Sequence, residues 1–171
     1  MAFSFSGTFI FLIIFGVFIW LVRFFTNSQT PDRDSIPLRK DISERHLPPI
    51  PTGHQILFGR VAVAGCSFRK ADFCRFAMSI DKSLRLVAEP SNKHDKNAVM
   101  VIGEGDGRKY HIGYLPRELS AEITKNRILP KISPRLRYLS AKMAGYFDLE
   151  IDLTAEKSLV KSFQEPEQYP V

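Results

Sequence analysis

Apolar and polar residues alternate along two stretches in the middle of the chain, with a compact apolar run between them. Residues 84–88 and 110–114 place an apolar side chain at every second position, which is the pattern of a half-buried strand. Residues 98–102 form a short run rich in β-branched side chains, which is typical of a strand. The pattern predicts three strands in succession.

Turn-forming residues separate these strands. Residues 90–97 are dense in Pro, Ser, Asn and Asp, whose side chains or rings favour turns. The glycine-rich segment 103–107 supplies the permissive φ angles of a tight hairpin. Pro116 is suited to the first turn of a helix, and Leu119 and Ile123 give that helix an apolar stripe.

A second signal lies at the N-terminus, where Ala2 to Val22 form 21 consecutive residues without a charge. At ~1.5 Å per residue, a helix of this length spans the ~30 Å hydrocarbon core of a bilayer. The alternatives are a cleaved signal peptide and a buried core helix. No Lys or Arg precedes the run and no A-x-A-like cleavage site follows it, so we expect a single transmembrane helix in residues 1–25.

The distribution of basic residues predicts the orientation of this helix. The N-terminal side has no Lys or Arg, whereas five follow on the other side: Arg23, Arg33, Arg39, Lys40 and Arg45. The positive-inside rule therefore predicts a cell-membrane protein with its N-terminus outside and its C-terminal domain in the cytoplasm. Cys66 and Cys74 show no disulfide framework, and we expect reduced thiols, although a pairing between them remains open.

Composition divides the rest of the chain. Residues 26–54 are rich in proline and alternating charges, which predicts a flexible tether, and we expect residues 155–171 to be a loose tail. Between Ile123 and Phe147 there are six Lys and Arg residues and no acid. This basic stretch fits a solvated surface, a phosphate-binding face or contact with anionic lipid, and charge alone does not choose among them.

Two motifs carry a family resemblance. They are E-P-x-N-x-x-D-x-N-A-V at Glu89 to Val99 and I-G-Y-L-P-R-E-L at Ile112 to Leu119. With the preceding Leu-Phe-Gly and Val-Ala-Gly segments of 57–65, they resemble the HIRAN domain over residues 55–154. The resemblance implies a mainly β fold, a small OB-like β-barrel with one or two helices, here preceded by a single transmembrane helix. In the best-studied members, this domain holds the 3′-hydroxyl end of single-stranded DNA.

The resemblance also implies candidate DNA-binding residues after the first strand. Phe68 is the candidate for stacking on a base, and Arg69 or Lys70 for contacting a phosphate. Ser67 departs from the family, because a basic residue is expected there. Phe68 could instead belong to the core.

Further candidates lie in the polar turn and on the third strand. Asn92, His94 and Asp95 match positions that contact the terminal nucleotide, and Asp95 is suited to accept a hydrogen bond from a 3′-hydroxyl. His94 replaces an aromatic residue. Tyr114 lies where the family can place another pocket residue. The alternatives are structural: Asp95 could lock the turn, and Tyr114, in phase with Ile112, could be packed.

Enzymatic motifs are not found in the sequence. There is no phosphate-binding G-x-x-x-x-G-K-[ST] loop, no paired His and Cys spacing typical of zinc ligands and no nucleophile motif. We therefore expect a non-catalytic protein without a metal or cofactor, whose partner could supply a motor or nuclease. The first hypothesis is membrane-tethered binding of a single-stranded DNA end. The alternative is a membrane-localised module that docks a protein or anionic lipid without binding DNA.

Overall fold

The computed structural model describes residues 40–164, which form seven strands and three α-helices. The strands are β1 (Ile42–Arg45), β2 (His54–Ala62), β3 (Ser83–Ala88), β4 (Val99–Gly105), β5 (Arg108–Tyr114), β6 (Ile132–Ala141) and β7 (Phe147–Glu156). The helices are α1 (Lys70–Met78), α2 (Arg117–Lys125) and α3 (Lys157–Gln164). Short 3-10 turns lie at Cys66–Arg69 and Leu129–Lys131.

The three strands predicted from the hydrophobic pattern form one antiparallel sheet in the order β3-β4-β5. The hairpin between β4 and β5 turns at Asp106 and Gly107, whose φ angles are 51° and 73°. Positive φ at both positions is the signature of a type I′ turn. The other glycines of this segment lie within β4 and serve close packing, because a Cβ on Gly103 would lie 2.6 Å from the Phe76 ring.

The second sheet is antiparallel and has the order β1-β6-β7-β2. Its central pair, β6 and β7, is formed by the residues that follow α2. Irregularities in register occur on both sides of β7, between Phe58 and Val61 on β2 and between Leu136 and Tyr138 on β6. Each places an extra residue opposite β7, and such bulges re-aim the side chains around them.

The predicted barrel does not close among residues 40–164. The two sheets are joined by an isolated antiparallel bridge between Ala64 and Tyr114, and β3 packs near β6 without pairing with it. Helix α1 contacts β4 and β5 of one sheet and β6 of the other. Because Phe73 and Phe76 of α1 are fully buried, this helix fills the space between the sheets that strand pairing would otherwise close.

Two elements extend the folded unit beyond the boundaries predicted from the sequence. Strand β1 lies inside the segment 26–54 and pairs with β6 through Ile42↔Ala141 to Arg45↔Tyr138. Helix α3 lies inside the segment 155–171, and its Val160 is buried. Residues 40–164 therefore contain three α-helices rather than the expected one or two. No helix within residues 40–164 is long and apolar enough to cross a bilayer, and the predicted anchor at 1–25 lies outside the described residues.

Both cysteines contribute to the core. Cys66 and Cys74 are free and buried, as expected for reduced thiols. Burial, together with the nearby charge of Asp148, raises the pKa of the Cys66 thiol to about 12. Burial also raises the pKa of Cys74. Neither thiol is a reactive nucleophile at neutral pH.

Candidate functional site

Three segments that carry the predicted site residues meet where the two sheets are bridged. The N–H of Ala64 donates to the Tyr114 carbonyl at 2.8 Å, and the N–H of Tyr114 donates to the Ala64 carbonyl at 2.9 Å. Gly113 makes this approach possible, since a Cβ there would lie 2.3 Å from the Ala64 carbonyl oxygen. The bridge holds the 3-10 turn that follows Ala64 beside the end of β5.

Glu89 links the end of β5 to the loop between β3 and β4. Its Oε2 atom accepts hydrogen bonds from the Asn92 Nδ2 at 2.6 Å and from the Tyr114 hydroxyl at 3.0 Å. These two bonds, with the positive charge of Arg69, hold the pKa of the Glu89 carboxyl below its ordinary value. In the sequence, Glu89 is only the first residue of the E-P-x-N motif, and its central position becomes visible in the structure.

The loop at residues 89–97 is fixed by its own side chains. The Asn92 Oδ1 accepts hydrogen bonds from the backbone N–H groups of His94 at 2.9 Å and Asp95 at 3.2 Å. The Asp95 Oδ1 accepts from the backbone N–H of Asn97 at 2.9 Å. Asn92 is therefore committed to shaping the loop. Asp95 keeps its Oδ2 outside this network, 3.8 Å from the Arg117 guanidinium.

The candidates on the 3-10 turn and at the tip of the loop are exposed. Phe68 is 88% exposed, so it does not belong to the core. It lies on the turn that begins after Gly65, whose φ of 79° suits glycine, and Arg69 and Lys70 beside it are also exposed. His94 is exposed at the tip of the loop. An uncovered aromatic ring therefore lies next to two cations on one side of the bridge.

The orientation of Tyr114 differs from the simple alternation read in the sequence. Ile102 pairs with His111 whereas Val101 pairs with Gly113, so Ile112 is an extra residue in β5. This bulge reverses the alternation, leaving Ile112 fully buried while Tyr114 is only half-buried. Burial and the hydrogen bond to Glu89 both raise the pKa of Tyr114.

The same bulge brings His111 into the site, which the sequence analysis did not predict. Its ring meets the Tyr114 ring edge to face at a centroid distance of 4.8 Å. Its backbone N–H donates to Asp72 Oδ2 at 3.3 Å, which ties α1 to the site. Burial, followed by the charge of Arg69, lowers the pKa of His111, so the neutral imidazole is favoured.

The lowered pKa of Glu89 gives a test of this network. Because the folded pKa lies below the ordinary value of 4.5, the carboxylate stabilises the fold above about pH 4.5 and loses this effect as pH falls through the folded pKa. We expect Glu89→Gln to destabilise the chain near pH 6 and to differ less from the parent near pH 3. Urea unfolding at both pH values measures this. Glu122→Gln, on the exposed side of α2, is the control, and an equal deficit at both pH values would contradict the prediction.

The part of the chain that forms this site is similar to a known protein family. Residues 56–131 match the family model of the HIRAN domain. Among solved structures, the crystal structure of the HIRAN domain of human HLTF is similar, with a TM-score of 0.39 and 18% sequence identity over 66% of this chain and 88% of that chain. The comparison with curated proteins gave no match.

Proposed function

We propose that this chain binds single-stranded DNA and recognises its 3′ end, because residues 56–131 match the family model of the HIRAN domain, which is typically a DNA-binding module. The binding surface consists of the turn with Phe68, Arg69 and Lys70 together with the loop tip at His94. The observation that carries the proposal is the exposure of the Phe68 ring beside exposed cations.

The chemistry of this surface suits a strand end. A terminal base is free to stack on an aromatic ring, which contributes ~1–3 kcal/mol per base. Arg69 and Lys70 can each contact a phosphate and add a salt-dependent term. His94 can donate to a phosphate or stack on a second base. None of these contacts requires the domain to rearrange, because Asn92 and Glu89 already fix the loop.

Asp95 is the residue that we propose distinguishes a 3′-hydroxyl end from a 3′-phosphate end. Its Oδ2 is not used by the loop, and a carboxylate oxygen accepts a hydrogen bond from a 3′-hydroxyl. A 3′-phosphate has no such donor when ionised and would bring negative charge towards Asp95 and Glu89. The site should therefore favour strands that end in a hydroxyl.

The remaining parts of the proposed function rest on the sequence. The module is non-catalytic, and any motor or nuclease activity belongs to a partner protein. Residues 1–25 anchor the chain in the cell membrane, with the domain in the cytoplasm. The bound strand is thereby held near the inner face of the membrane.

Fluorescence anisotropy with oligonucleotides ending in a 3′-hydroxyl or a 3′-phosphate tests the proposal on the full chain. We expect tighter binding to the hydroxyl end. Asp95→Asn keeps the oxygen that accepts from Asn97 and removes the charge, so it should reduce the preference, whereas Asp81→Asn on the exposed loop after α1 should not. Equal binding to both ends by the parent chain would contradict end recognition, and the absence of measurable binding would contradict DNA binding itself.

A further inference from the structure

A second cationic feature lies on the four-stranded sheet, outside the surface around Phe68. It is a cavity of about 280 Å³ that we call the arginine pocket, lined by Arg45, Leu47, Arg60, Arg137, Tyr138 and Glu150. Its three guanidinium groups come from three different strands, β1, β2 and β6. The sequence does not suggest this grouping, because only Arg137 belongs to the basic stretch 125–142.

Two of these arginines are placed by β-bulges on either side of β7. Gly59 and Arg60 together oppose Asp152, and Arg137 is the extra residue between Leu136 and Tyr138. Arg60 also has a left-handed φ of 54°, which is unfavourable for a residue with a Cβ. Strained backbone of this kind is concentrated at functional sites.

The buried carboxylate of Asp152 holds both bulges. It is fully buried, and its Oδ1 accepts a hydrogen bond from the Arg60 backbone N–H at 3.0 Å. Its Oδ2 accepts from the Arg137 Nη1 at 3.4 Å. One acid therefore fixes the backbone of one arginine and the guanidinium of another, so the pocket is built before any ligand arrives.

The three arginines differ in whether a carboxylate of the fold neutralises their charge. Arg137 is paired with Asp152 and lies 3.9 Å from Glu150. Arg45 and Arg60 are exposed, and within residues 40–164 neither has a carboxylate within 4.0 Å. Both arginines line the cavity, and a guanidinium group can donate two parallel hydrogen bonds to a phosphate.

We propose that the arginine pocket binds a backbone phosphate of the strand whose 3′ end lies at Phe68. This inference rests on the proposed function. Strand β2 runs from Arg60 towards Ala64, a distance of at most ~14 Å for four residues, and continues into the turn with Phe68. Single-strand sites on small β folds cover ~4–16 nucleotides, enough to extend from the turn to the pocket.

The lining favours a polynucleotide over a lipid surface. Tyr138 lines the same cavity as the three arginines, so its ring can add a stacking surface to the phosphate contact. The cavity also gathers three arginines around a volume of about 280 Å³, whereas binding to an anionic bilayer relies on cations spread over a surface.

The test compares strands of about three and about ten nucleotides, the shorter of which is below the usual site size. The full chain is kept in a non-ionic detergent because residues 2–22 are apolar. The variant combines Arg45→Gln with Arg60→Gly, since glycine suits the positive φ of residue 60 and removes the guanidinium. The control is Arg108→Gln, an exposed arginine on the other sheet.

We expect the double variant to weaken binding of the longer strand and to reduce the slope of log K against log salt by about 0.7 per phosphate lost. Binding of the shorter strand should not change, nor should the thermal unfolding temperature fall. If the double variant leaves the salt slope unchanged while Phe68→Ala still weakens binding, the arginine pocket does not bind the strand. The proposed function is then unaffected. Loss of binding to vesicles of phosphatidylserine, with strand binding intact, would also overturn strand binding at the arginine pocket in favour of a lipid headgroup.

Discussion

Replacement of Gly113 by alanine should destabilise the domain by about 1–3 kcal/mol, as overpacking of a close contact does. The added Cβ would lie 2.3 Å from the Ala64 carbonyl oxygen and 2.9 Å from a Val63 methyl group. Because the nearest of these atoms belongs to the backbone, rotation of a side chain cannot relieve the clash. The bridge between Ala64 and Tyr114 must open, and the turn with Phe68 then moves away from β5.

Urea unfolding of the full chain measures the loss of stability, and the matched control is Gly59→Ala. A Cβ on Gly59 would lie 3.5 Å from an Ile56 side-chain carbon, an ordinary contact, so its effect should be within about 0.5 kcal/mol. DNA affinity should fall for Gly113→Ala even where the chain remains folded. If both glycine variants unfold at the same urea concentration as the parent, the bridge is not the constraint that joins the sheets.

Replacement of Phe68 by alanine should weaken binding of a single-stranded oligonucleotide by about 5- to 150-fold, the equivalent of ~1–3 kcal/mol of stacking on one base. The free energy of unfolding should change little, because the ring is 88% exposed in the fold. Removal of an exposed side chain leaves no cavity behind it. A large loss of affinity without a loss of stability would therefore locate the stacking surface.

The control for this variant is Ile80→Ala. Ile80 is 89% exposed and follows α1, away from the bridged segments. Phe68→Tyr should retain most of the affinity, since its ring still offers a face to a base. Unchanged affinity in Phe68→Ala would remove the residue from the proposed interface, and a loss of stability comparable with the loss of affinity would assign it a packing role.

The strands that could be predicted are those whose pattern is local. Strands β3, β4 and β5 follow one another with short connections, and alternation together with turn residues defines them. Strand β1 has four residues, and within residues 40–164 its strand partner is β6, almost one hundred residues later in the chain. Such a strand is stabilised by long-range pairing, which a proline-rich local sequence does not reveal.

Whether the barrel closes could also not be predicted from local sequence patterns. Closure depends on whether the edges of two sheets find each other, and here Phe73 and Phe76 place a helix between them. The sequence of α1 gives no indication of that position. The glycines at 103–107 show the same limitation, because a turn glycine and a packing glycine are identical in the sequence.

The candidate site was predicted in outline and not in detail. The turn chemistry of Asn92 and Asp95 follows from their residue types, and the structure shows both side chains bonded to the loop. The bulge at Ile112 could not be foreseen, and it decides which face Tyr114 and His111 share. The sequence also did not decide whether Phe68 is exposed, since an aromatic residue after a strand can lie in the core or on the surface.

The burial of both cysteines has a practical consequence for labelling. With a pKa of about 12, Cys66 exists as a thiolate in about one molecule in 10⁵ at pH 7, and Cys74 is shielded in the same way. A maleimide dye applied to the folded chain should therefore react with a thiol installed at an exposed position such as Lys93 and leave both native sulfurs untouched. The wild-type background is already suited to single-molecule measurements.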